Sequence, residues 1–115
     1  MNSNRDKGHR LERRIRKELE DMGFESITTR NGSIVYDNKG VDIIGELPFH
    51  VQCKDKQRLE SPWKLLDKMP DDKPGCILWT QSERNKKAKK HLDLIIMKKD
   101  ELWKLLKRFG TEHQK

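Results

Sequence analysis

GVDIIGELPFHVQCKD, residues 40–55, decides the fold class of this chain. Two runs within it, VDIIGEL (41–47) and FHVQCKD (49–55), are rich in β-branched and apolar residues and are broken only by Pro48, so they read as a hairpin of two central strands. The second run alternates, with Phe49, Val51 and Cys53 on one face and His50, Gln52 and Lys54 on the other. The apolar face belongs against a core, and the polar face either meets solvent or holds a site. Asp is disfavoured inside strands, yet Asp42 stands near the start of the first run, ten residues before Gln52. Across the hairpin it can face Gln52 and Lys54, so that a carboxylate, an amide oxygen and an ammonium converge.

On the N-terminal side, residues 6–22 place Leu11, Ile15, Leu19 and Met22 on one stripe of an amphipathic helix that Gly23 closes. FESITTR (24–30) alternates moderately and suits a strand. Asn31-Gly32-Ser33 reads as a turn, Ile34-Val35-Tyr36 as a short strand, and 37–40 as another turn. On the C-terminal side, Pro62 opens a short helix with Trp63, Leu66 and Met69 inward, ended by Pro70. GCILWTQ (75–81) and HLDLIIM (91–97) are apolar runs suited to buried strands, joined by a polar basic segment. KDELWKLLKRF (99–109) sets Leu102, Leu105, Leu106 and Phe109 on one helical face, with Gly110 as the stop and 110–115 as a tail. This order of elements predicts an α/β fold, a central mixed sheet flanked by helices.

The chain has 115 residues, enough for one core, so we expect a single domain over 1–115. Its 26 Lys+Arg against 19 Asp+Glu give a net charge of +7, which favours a polyanionic partner. The longest apolar stretches, Leu94–Met97 and Cys76–Trp79, fall far short of the ~20 residues that cross a bilayer. No apolar leader follows the charged start, so the expected location is the cytoplasm. Cys53 and Cys76 lack metal-ligand spacing and read as small buried apolar residues of a reducing compartment.

Phosphodiester hydrolysis accounts for the polar cluster. A carboxylate and a further oxygen ligand suit Mg2+, with Mn2+ as a substitute, and a lysine can orient or deprotonate the attacking water or stabilise the transition state. The backbone carbonyl of Cys53 is a further candidate ligand. Asp37 and Glu46 compete for the metal role, although their turn and hairpin-end positions suit ordinary surface residues. His50 reads as a half-exposed histidine, and Glu12, in a charged helix, as a surface partner of Arg13 or Arg16. Arg5, Lys7, Arg10 and Arg13, with the 84–90 run that includes Lys86 and Lys87, are candidates for nucleic-acid backbone contact. Trp63, Trp79 and Trp103 read as core or interface residues.

Taken together, these residues resemble the PD-(D/E)XK nucleases, and among them the small archaeal-type and phage Holliday junction resolvases. The resemblance covers most of the chain: KGHRLERRIRKELEDMGF (7–24), TRNGS (29–33), VDII and VQCK, and the closing GCILWTQSERNKK and LDLIIMKKDELWKLL. It implies a restriction-endonuclease-like fold, catalytic Glu12, Asp42, Gln52 and Lys54, and a metal held by Asp42, Gln52, the Cys53 carbonyl and Glu12. It also implies substrate contact by Arg30 and Ser33, four-way DNA junctions as substrate, a homodimer that makes two symmetric cuts, and no small-molecule cofactor. The chain departs from the pattern at Gln52, where the family's usual residue is a carboxylate. Three other readings stay open: a nuclease of the same fold acting on flaps or duplex, a branched-DNA-binding module with a degenerate site, and a basic RNA-associated protein.

Overall fold

Alternation in residues 43–55 is realised as two strands at the middle of a mixed sheet. The computed structural model describes residues 4–29, 34–82 and 91–113. Along the chain these form α1 (Asn4–Asp21), β1 (Ser26–Thr28), α2 (Ile34–Asn38), β2 (Ile43–Gly45), β3 (His50–Asp55), α3 (Pro62–Lys68), β4 (Gly75–Ser82), β5 (His91–Met97) and α4 (Lys99–His113). The five strands lie in sheet order β1-β2-β3-β4-β5. Only β3 and β4 run parallel; β1/β2, β2/β3 and β4/β5 are antiparallel. A parallel pair needs a crossover, and α3 lies on the segment that supplies it. This is the expected α/β class, a mixed sheet flanked by helices, and it is compatible with a restriction-endonuclease-like arrangement. No helix among the described residues is long and apolar enough to cross a membrane.

The two faces of the sheet are covered by different helices. Leu11 and Ile15 of α1 pack on Ile43, Leu47, Val51, Cys53 and Cys76, while Leu65 and Leu66 of α3 pack with Val41, Met69 and Ile77 on the other side. The expected alternation of β3 is therefore present, and both cysteines are buried as expected. Its polar side is not solvated, however, because α3 covers it: His50 and Gln52 are buried as well. α1 is tied to the far strands by Arg14, whose guanidinium donates twice to Asp93, at 2.9 and 3.1 Å, while Asp93 also accepts from the Thr80 hydroxyl at 2.8 Å.

Five expectations are corrected. Residues 34–36 are helical, not a strand. The short α2 ends in a left-handed glycine: Gly40 N–H donates to Asp37 O, Val41 N–H donates to Tyr36 O, and Gly40 sits at φ +74°. Trp63 is 75% exposed; Leu65 and Leu66 form the inner face of α3 instead. β5 is an edge strand that leaves Leu92 and Ile95 exposed. Finally, α4 runs through Gly110 to His113, and Leu102, Leu106 and Phe109 of its apolar face are exposed. Met22, expected on the α1 stripe, lies beyond the helix end and is exposed too, where Gly23 and Phe24 turn back onto Glu20 O and Leu19 O.

Candidate active site

Asp42 sits where β2 and β3 part. The strands pair at Ile43 and Val51. One residue earlier, the Asp42 N–H still donates to Val51 O at 2.8 Å, while the Asp42 carboxylate turns in and accepts the Cys53 N–H, also at 2.8 Å. A side chain thus stands in for a ladder acceptor. In an extended strand the N–H and C=O of one residue face the same way, so the Cys53 carbonyl opens toward the same gap.

Glu12 projects toward this gap from α1. It follows Leu11 and precedes Ile15 on the buried stripe, and it is only 7% exposed. The expected surface pairing with Arg16 is not made, since Arg16 donates to Glu20 at 2.7 Å. Burial pushes the Asp42 carboxyl up to about 6; the Cys53 N–H opposes the shift, the negative charges of Glu12 and Asp37 add to it, and Lys54 opposes it. Burial, then Asp42 and Glu12, also push the Cys53 thiol well up, so this sulfur is an inert part of the core. Two carboxylates, one of them nearly buried, therefore crowd one backbone gap, and a cation there would relieve their mutual repulsion.

Gln52 and Lys54 face the α3 side. The Gln52 amide nitrogen lies against Gly40, where an added Cβ would approach it to 3.3 Å. Its Oε1 is buried and has no hydrogen-bond partner among the described residues. Lys54 lies close enough to ease the ionisation of Asp42, but its ammonium is turned to Glu60, at 3.1 Å. That contact, followed by the Lys54 charge, holds the Glu60 carboxyl below its ordinary value. The structure thus brings Glu12, Asp42 and the Cys53 backbone together, with Lys54 at the rim, whereas the Gln52 amide lies beside Gly40.

The competing residues do not join. Asp37 is exposed on α2 and accepts a bond from the Thr29 hydroxyl at 3.3 Å, acting on Asp42 only through its charge. Glu46 is exposed past Gly45, with its N–H on Glu25 O. His50 is buried rather than half-exposed; its Nε2 lies 2.7 Å from Asp72 and its ring lies against Tyr36, so it pins the loop before β4. Lys7, Arg10 and Arg13 are exposed along α1. Arg30, Ser33, Lys86 and Lys87 lie outside the described residues, as does the side chain of Arg5.

No family model, curated protein or solved structure matches this chain. The site must be judged on its own donor set. Among the described residues no three His, Cys, Asp or Glu side chains come together as a ligand group. Two carboxylates and a backbone carbonyl are hard oxygen donors, which fits Mg2+. A cavity of about 210 Å³ lies elsewhere, between the end of α3 and the start of α4. Residues that sequence reasoning did not single out are Glu60, which holds Lys54, Gly40, which makes room for Gln52, and Arg14. Of these only Gly40 carried a signal, as the glycine that closes a helix in DNKG.

Proposed function

We propose that this protein is a Mg2+-dependent, structure-selective DNA endonuclease acting on four-way junctions as a homodimer. The observation that carries the reading is the nearly buried Glu12 beside Asp42 at the point where β2 and β3 part, on a chain of net charge +7. Two carboxylates close together beside a backbone carbonyl form the kind of oxygen-donor set that a divalent cation uses. Asp42, Glu12 and the Cys53 carbonyl would hold the ion, and Gln52, on the α3 side, is left out of the set. When bound, Mg2+ supplies charge neutralisation at the scissile phosphate and favours ionisation of the attacking water.

The chain's own residues do the rest. Asp42 is kept in place by the Cys53 N–H, so its free oxygen is aimed without reorganisation. Lys54 brings a positive charge to the rim of the carboxylates. A phosphodiester arriving there competes with Glu60 for the ammonium, and the exposed side chain of Glu60 can yield to it. Water adds to phosphorus, the bond to the leaving ribose oxygen breaks, and Lys54 stabilises the charge that develops. The exposed Lys7, Arg10 and Arg13 provide sequence-independent backbone contact.

A second reading, a branched-DNA-binding module without chemistry, draws support from the uncharged Gln52 and from the Lys54–Glu60 pair. One experiment separates the two: cleavage of a labelled four-way junction beside a flap and a matched linear duplex, in Mg2+ and in Mn2+, by wild type, Asp42→Asn and Lys54→Ala. Paired cuts near the branch point, lost by at least a hundredfold in both variants, are expected. Tight junction binding with no cuts in either metal would replace the nuclease by the binding module.

A further inference from the structure

We propose that Lys54 and Lys56 form a phosphate subsite at the rim of the candidate active site, and that Glu60 is its occupant in the free protein. Both ammoniums converge on the same oxygen of Glu60, Lys54 at 3.1 Å and Lys56 at 3.6 Å. The backbone that presents Lys56 is fixed on β4. Its N–H donates to Thr80 O at 3.2 Å, its carbonyl accepts the Trp79 Nε1–H at 2.8 Å, and the next carbonyl, that of Gln57, accepts the Gln81 side-chain amide at 2.8 Å. Lys54 lies in β3, so both cations stand on backbone held by the sheet. Two lysines around one carboxylate leave the trio with a net positive charge.

Glu60 is the exchangeable member of the three. Its side chain is 53% exposed, against 20% for Lys54, and an ion pair so open to water contributes little stability, so it parts at small cost. A phosphate oxygen accepts charge-assisted hydrogen bonds from ammoniums as the carboxylate oxygen does. A nucleic-acid strand adds what Glu60 lacks, because it meets several cations of the chain at once and releases its counterions as it does so. The position also suits the chemistry: Lys54 is close enough to favour ionisation of Asp42, so a phosphate seated on it lies beside the carboxylate gap. The identity of the ligand rests on the nuclease reading, whereas the subsite itself rests on the two lysines and the carboxylate that they share.

Fluorescence anisotropy of a labelled four-way junction, with the full chain and without divalent metal, tests it, and circular dichroism of each variant checks the fold. Glu60→Gln is expected to bind the junction at least fivefold more tightly than wild type, because the subsite is then vacated. Asp67→Asn removes the same charge from the exposed pair with Lys98, away from the subsite, and is expected to change binding less than twofold. In a Lys54→Met/Lys56→Met background, Glu60→Gln is likewise expected to change binding less than twofold. A Glu60→Gln variant that binds no more tightly than wild type, an equal gain from Asp67→Asn, or a gain that survives the loss of both lysines would overturn the proposal. The two proposals fail separately: this pattern of binding without cuts in Mg2+ keeps the subsite and loses the nuclease, and cuts without the pattern do the reverse.

Discussion

α1 and α4 carry the same kind of apolar stripe, but α1 buries Leu11 and Ile15 against the sheet whereas α4 leaves Leu102 and Leu106 exposed. Amphipathic spacing defines a face to be covered and leaves unstated what covers it. For α1 the cover is β3 of the same chain, and that close packing carries Glu12 beside Asp42. Along α4 Leu105 is half-buried, whereas Leu102 and Leu106 stay exposed. One stripe positions a site within the chain, and the other stays largely exposed.

Core removal gives the largest expected effect and the sharpest contrast. Ile15→Ala should cost about 2–5 kcal/mol in urea unfolding, because it empties a packed position between α1 and the sheet. Asp42→Asn works in the opposite direction. The folded chain raises this carboxyl to about 6, so folding holds its proton more tightly than the unfolded chain does, and stability falls as pH rises from about 4 to about 6. A rise to about 6 corresponds to about 3 kcal/mol. Asp42→Asn should therefore stabilise the protein by up to that amount at pH 7 and above, with the gain gone below about pH 4, as thermal unfolding across pH would show. In wild type, Mg2+ at a hundred times its Kd should raise stability by about 2.7 kcal/mol, and Asp42→Asn should abolish that rise.

Smaller effects follow at the edges of the comparison. Gly40→Ala should cost about 1–2 kcal/mol, since Gly40 lies at φ +74° and its new Cβ would press on the Gln52 amide at 3.3 Å. Leu106→Ala should change the unfolding free energy by less than ~0.5 kcal/mol at dilutions where the chain is monomeric. A large loss there would mean that α4 packs on its own sheet and would erase the contrast with α1.

What was legible in the sequence follows the same division. The alternation of Val51 and Cys53 against His50 and Gln52 placed the central strand and its two faces, because period two is a local property of the chain. Asp42 was visible because a carboxylate at a strand start is out of place there. Glu12 was legible only through resemblance, since local spacing offers it arginine partners on its own helix. The segment Ile34-Val35-Tyr36 misled because its residues favour strands, whereas the Tyr36 and Asp37 carbonyls and the left-handed Gly40 close a helix. Glu60 left no trace, because its pairing with Lys54 depends on how the loop before α3 returns to β3. The exposure of α4 was equally hidden: a stripe reads alike whether its partner is this chain or another.

Glu12 is where the two halves of the account meet, and Glu12→Gln is the measurement that tests it most directly. Junction cleavage in Mg2+, with circular dichroism on the same preparation to show the fold intact, should be at least a hundredfold slower, because the amide keeps the shape and removes one charge of the carboxylate pair. Cleavage at the wild-type rate would contradict the account and would return Glu12 to the role of a buried structural residue.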